Sequence, residues 1–251
     1  VESIVAVVND ARTTSKLSFL DAMRTGLRRV LCAPGFLFLE EPAGGSPERR
    51  PLTDHELASR LSYFLWSTMP DEKLFALAAA ERLRESGVLR AQIQRMLADP
   101  KADQLVRNFA GQWLSVREYG SVQPAAEYRN YDKPLERSAK EEPFAFFAEV
   151  LAKNLSIMAF LDSDFLVVDE RLARHYDIEG VDGPEFRRVA IRPEHHRGGV
   201  LGMAGLMTFL ADGTRTLPIR RGSWVLRELF NDPPNNPPPN AGEIQPNTAG
   251  K

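Results

Sequence analysis

The residues best suited to bind a ligand or partner crowd one short segment. Asp212-Gly213-Thr214-Arg215-Thr216 reads as a tight turn, and Arg220-Arg221-Gly222 follows it. Thr216 is expected to cap a helix with Pro218 in its first turn, bringing arginines close to free backbone N–H groups. That arrangement receives a carboxylate or phosphate. The plainer account is internal, with Arg215 and Arg221 paired to Asp212 or other acids of the fold. The residues favour this account without closing the first. Arg221 in particular lies one turn into the expected helix, against the positive end of its dipole, and so requires something negative from this chain or a partner.

A second cationic stretch lies upstream. His195 and His196 form a loop doublet beside Arg192 and Arg197, either an anion-binding loop or, more plainly, a solvated one. His175 follows Arg174 at the end of an expected helix, where the dipole favours a cation. Together with His55 these are all four histidines, and no pair has the i, i+4 spacing of a His-Glu-x-x-His metal site. Asp162, Asp164, Asp169 and Glu170 cluster, but they lack the glycine and the terminal bidentate glutamate of a calcium loop. Asp169 and Glu170 read better as helix-start carboxylates. No metal site is expected in the chain.

No Gly-x-Ser-x-Gly elbow, phosphate-binding loop or dinucleotide fingerprint occurs, so no reaction is assigned. The 251 residues carry a net charge of −2, which argues against nucleic-acid binding driven by counterion release. The longest apolar run, Val200 to Ala211, is about half the roughly 20 residues needed to cross a bilayer, so no transmembrane segment is expected. The single cysteine, Cys32, rules out an internal disulfide and reads as a small buried hydrophobe. Trp66, Trp113 and Trp224 sit in apolar helical patterns and read as core anchors.

The elements that must position these residues are helical. Ser18 with Asp21 opens a helix ending at Pro34-Gly35. Thr53 with Glu56 forms a capping box ahead of the stripe Leu57, Leu61, Phe64 and Leu65. Further helices are expected through Leu74–Ala80, Leu89–Leu97 and Leu105–Trp113. A long helix is expected over about 134–153, kinked or divided by Pro143. After a short turn beginning at Ser156, Asp169 starts a helix carrying Leu172, Ala173 and Tyr176. The one expected strand is Phe186–Ile191, and the last helices are expected near Gly199–Leu210 and Pro218–Phe230. The fold class is therefore all-α, an irregular bundle of about eight or nine helices with at most a short hairpin. Residues 1–51 are expected to close a preceding domain, 52–230 to form the main helical domain, and 231–251 to be a proline-rich tether. A start at Val1 is what a piece of a larger protein would show.

Several stretches resemble the helical domains that accompany planctomycete-type cytochrome c modules in large secreted proteins. They are Leu27–Glu41, Leu52–Ala78, Arg95–Leu114, Asp169–Ile178, Arg197–Gly202 and Thr216–Phe230, in family order and spread from Leu27 to Phe230. The resemblance implies an extracytoplasmic, periplasmic or secreted protein whose neighbouring domain or partner chain carries haem c through Cys-x-x-Cys-His. This chain has no such motif, so it would hold no haem covalently. The resemblance brings no reaction and no catalytic residue. It points to a non-haem scaffold or docking domain in a redox or electron-transfer system. The alternatives are a carbohydrate-active enzyme or polysaccharide-binding module, and a structural interaction domain of a larger assembly.

Overall fold

The computed structural model describes residues 2–38, 50–126, 128 and 130–235. They fall into two compact units, one within Val1–Arg60 and Glu72–Arg84, the other within Leu61–Asp71 and Glu85–Lys251.

The first unit begins with α1 (Glu2–Thr13) and α2 (Phe19–Leu31), followed by the single turn α3 (Pro34–Leu37). Ser18 caps α2 by accepting from the Asp21 N–H at 3.2 Å, and its hydroxyl donates to Asp21 Oδ2 at 2.7 Å. A Cβ on Gly26 would lie 2.5 Å from Val8 Cγ2, so α1 and α2 approach closely at this glycine. The expected burial of Cys32 is not found. The thiol is exposed, because α2 buries its small residues Ala22 and Gly26, whereas Leu27 and Leu31 stay on the surface.

Next comes α4 (Asp54–Trp66), which starts in the first unit, and α5 (Glu72–Ala79). The capping box of α4 is reciprocal: Glu56 N–H donates to Thr53 Oγ1 at 3.2 Å and Thr53 N–H to Glu56 Oε2 at 2.8 Å. Buried Asp54 accepts from Leu83 N–H at 2.7 Å and Arg84 Nε at 2.5 Å, tying the start of α4 to the segment after α5. Of the expected stripe Leu57, Leu61, Phe64 and Leu65, only Leu65 is fully buried; Ala58 and Ser62 join it on the inward face, Leu57 and Leu61 are half-buried, and Phe64 is exposed.

The second unit holds α6 (Ser86–Leu97), α7 (Asp103–Leu105), α8 (Gly111–Trp113), the long α9 (Lys133–Ala152), β1 (Phe165–Val168), α10 (Glu170–His175), β2 (Arg187–Ala190), α11 (Ala204–Phe209) and α12 (Pro218–Trp224). A π-helical turn, Val106–Ala110, joins α7 to α8, and a second, Val225–Leu229, continues α12. Asp132 caps α9 by accepting from Leu135 N–H at 2.8 Å. Pro143 is buried inside α9 and does not divide it. The expected helix Gly199–Leu210 is instead a 3₁₀ turn, Val200–Gly202, followed by α11.

Leu135, Ala139, Glu142, Phe146 and Val150 form the buried face of α9, at i, i+4, i+7, i+11 and i+15. β1 lies along it and pairs antiparallel with β2, from Phe165 opposite Ala190 to Val168 opposite Arg187. Its alternate side chains serve two clusters. Phe165 and Val167 pack with Phe146, Met203, Leu206 and Trp224, while Leu166 and Val168 pack with Leu135, Leu172 and Tyr176.

The fold is thus mostly helical with a two-stranded antiparallel sheet, and the all-α expectation is corrected to that extent. β2 falls in the expected strand, but β1 falls where only a turn was expected. With both faces buried, Phe-Leu-Val-Val offers no polar alternation to mark a strand. The expected tether lies outside the described residues from 236 onward; Asn231–Asn235 carry neither helix nor strand.

Candidate anion-binding cleft

In the second unit a cleft of about 870 Å³ gathers most of the cationic residues singled out above. The end of α10 supplies His175 and Tyr176, the 192–197 loop supplies His195, His196 and Arg197, the 211–216 turn supplies Arg215 and Thr216, and α12 supplies Arg221. Tyr128 and Tyr131 come from the loop before α9, and Ala204, Met207 and Thr208 of α11 line the cleft between them. Asp212 and Arg220 are not among the lining residues.

Glycines hold the Arg197 loop in place. Gly198 and Gly199 have φ of +144° and +60°, and a Cβ on Gly199 would sit 2.6 Å from the Leu161 carbonyl carbon. Only glycine combines that conformation with so close an approach. The Gly199 N–H donates to Ser163 Oγ at 3.0 Å, which fixes the loop against the turn before β1. Arg197 Nη1 then donates to the Gly202 carbonyl at 2.8 Å, and its guanidinium lies 3.7 Å from the centre of the Tyr176 ring.

Asp212 organises the other side. Its Oδ1 accepts from the N–H groups of Thr214 and Arg215 at 2.9 and 2.8 Å, and its Oδ2 accepts from Arg215 Nε at 2.9 Å. These backbone and side-chain bonds hold its carboxyl well below the usual carboxylate range. Gly213 has φ +91°, and a Cβ there would meet the Gln123 carbonyl oxygen at 2.4 Å. The internal account therefore holds for Arg215. Arg220 is also internal, donating to the Ala211 carbonyl at 3.2 Å over the Phe209 ring. Thr216 does not cap α12; it bridges to Ala211, and Leu217 occupies the cap position without a side-chain bond.

Arg221 differs from its neighbours. It lines the cleft, its Nε is buried, and that Nε has no hydrogen-bond partner among the described residues. Asp212, the acid of the preceding turn, gives both oxygens to that turn, and Glu228, seven positions on, pairs with Arg227.

His195 Nδ1 accepts from the Arg192 N–H at 3.0 Å, which leaves Nε2 as the hydrogen-bearing nitrogen of the neutral ring. His175 is exposed, yet the protein packed around it, with Arg197 and Arg171, holds its pKa below the ordinary imidazole value. Among the described residues no group of His, Cys, Asp or Glu is arranged to hold a metal ion. Asp169, from the acidic cluster, is a helix cap that accepts from Leu172 N–H at 2.9 Å and from the Ser138 hydroxyl at 2.5 Å.

Behind the cleft wall lies a residue that sequence reading missed. Glu142, on the inner face of α9, is fully buried. The Tyr176 hydroxyl donates to Glu142 Oε2 at 2.6 Å and accepts from Ala204 N–H at 2.8 Å. Glu142 Oε1 has no partner among the described residues, and burial pushes its pKa up to about 8. The only signal in the sequence is its spacing, because Glu142 falls on the line of Leu135, Ala139 and Phe146.

Residues 52–178 match the family described as PSD4, protein of unknown function (DUF1592), and residues 197–251 match that described as PSCyt3, protein of unknown function (DUF1588). Both are families of domains associated with planctomycete cytochrome c proteins. No curated protein and no solved structure matches significantly. His175 and Tyr176 lie in the first matched segment, and Arg197, Arg215 and Arg221 lie in the second, so the cleft is built from both.

Proposed function

The chain belongs to the PSD4 family, and from that premise and the cationic cleft we propose that it is a non-haem docking domain of an extracytoplasmic c-type cytochrome protein. The cleft receives an acidic group of a haem-bearing neighbour, such as a haem propionate, within a redox system. No reaction is assigned to the chain itself.

One observation carries this reading. Arg221 places a guanidinium in the cleft with a buried nitrogen that no described residue satisfies. A buried charged donor left unpaired costs more than an ordinary missing hydrogen bond, and a carboxylate arriving from outside removes that cost. Arg197 adds a second guanidinium to the same cleft. The chemistry fits propionates, which take guanidinium forks; the chain lacks Cys-x-x-Cys-His, so the haem belongs to another module. No helix among the described residues is long and apolar enough to cross a membrane.

The test is spectroscopic. Full-length protein expressed with haem maturation should show a Soret band, and that band should be perturbed when the cleft is changed by Arg221→Met. A full-length protein without a Soret band contradicts the proposal.

A further inference from the structure

Resting on the docking reading, we infer that Glu142 is a proton site coupled to the cleft, so that an anion bound at Arg197 and Arg221 brings a proton onto the Glu142 carboxyl.

The geometry is a short stack. Arg197, which lines the cleft, lies 3.7 Å above the centre of the Tyr176 ring, and the Tyr176 hydroxyl reaches Glu142 Oε2 at 2.6 Å. One aromatic ring therefore separates the guanidinium that an incoming anion neutralises from a fully buried carboxyl. Glu142 Oε2 is occupied by the tyrosine, whereas Oε1 is unpartnered among the described residues and is the position open to a proton.

The charged and titratable groups that act on Glu142 come from several elements around α9. Tyr176 comes from α10, Asp169 from its cap, Tyr119 from the 116–119 turn and Arg197 from the loop before Val200; the Ala204 N–H of α11 also points here. Burial and Asp169 favour the protonated acid. Arg197 is the one charged side chain among these that favours the anion. A bound carboxylate cancels that charge, so the equilibrium moves toward protonated Glu142, with the proton taken from solvent. His175 faces the same cleft but titrates lower, held down by burial and by Arg197 and Arg171.

The experiment follows the Glu142 carboxyl carbon by NMR in glutamate-labelled protein, assigned with Glu142→Gln. Succinate, fully ionised near pH 8, stands in for a propionate pair. The free chain should titrate near pH 8, and saturating succinate should raise that midpoint by about one unit, equivalent to uptake of roughly 0.4 proton per succinate at the starting midpoint. Arg197→Gln should raise it without ligand, which keeps the inference testable if Glu142→Gln fails to fold, since selective labelling still identifies the displaced signal. An Arg197→Gln variant with an unmoved midpoint overturns the inference. Succinate that perturbs the Arg221 side-chain resonances without moving Glu142 overturns the coupling and leaves the docking reading standing. Succinate that perturbs neither contradicts both.

Discussion

Asp212 Oδ2 accepts from Arg215 Nε at 2.9 Å, and this pairing leaves Arg221 to face the cleft without that carboxylate. The turn spends its one acid on holding its own shape. Two arginines of one short segment thus differ: Arg215 is paired within the chain, and Arg221 Nε has no partner among the described residues.

Trp224 is the anchor beneath that arrangement, 1% exposed within the cluster that also holds Phe146, Phe165 and Leu206. Trp224→Ala should cost roughly 3–5 kcal/mol, the range for deleting a large buried aromatic. Its Nε1 has no partner among the described residues, so Trp224→Phe forfeits no hydrogen bond and should cost much less. Chemical denaturation of both variants checks this, and equal losses would contradict it.

Gly199→Ala should destabilise the chain by more than about 1 kcal/mol, because alanine is strained at φ +60° and its Cβ would press on the Leu161 carbonyl. The same change should displace Arg197. Thermal melting measures the first effect, and the loss of anion binding measures the second.

Glu142 should make stability depend on pH with an unusual sign for a carboxylate. Its folded pKa is raised to about 8, above the roughly 4.3 of an unfolded glutamate, so between those values the folded chain holds a proton that the unfolded chain releases. The contribution is complete below about pH 4.3 and is lost as pH rises toward 8, at a slope approaching 1.4 kcal/mol per unit. Glu142→Gln should remove that slope. Unfolding free energies from pH 6 to 9 for both proteins would show it, and parallel curves would contradict it.

Much of the scaffold was legible because caps and periodicity are local. Ser18 with Asp21 and Thr53 with Glu56 announce helix starts in adjacent residues, and both pairs form the expected bonds. What failed depended on distant residues. β1 is buried on both faces by α9 and its neighbours, so its four apolar residues show no period. On α4 the inward face is set by packing rather than by the largest side chains, which is why Phe64 lies outside and Ser62 inside. In the cleft, the arginine segment stood out by composition, and its joining with Arg197, His175 and the histidine doublet did not. That joining follows from α10 and the loop before Val200 meeting in space. Glu142 was hidden for a related reason: an acid on an apolar stripe acquires meaning only when Tyr176, 34 positions away, turns out to be its partner.

The most direct test of the docking account compares binding of the haem-bearing module to the wild-type chain and to Arg221→Met over a range of salt. The melting temperature of the variant should not fall, since removing the unpaired buried Nε breaks no hydrogen bond of that atom within the described residues. Its affinity should fall by about tenfold or more at low salt, with the difference shrinking as ionic strength screens the interaction. Equal affinity of the two proteins at every salt concentration would contradict the account and leave Arg221 as a charge with no receiving role.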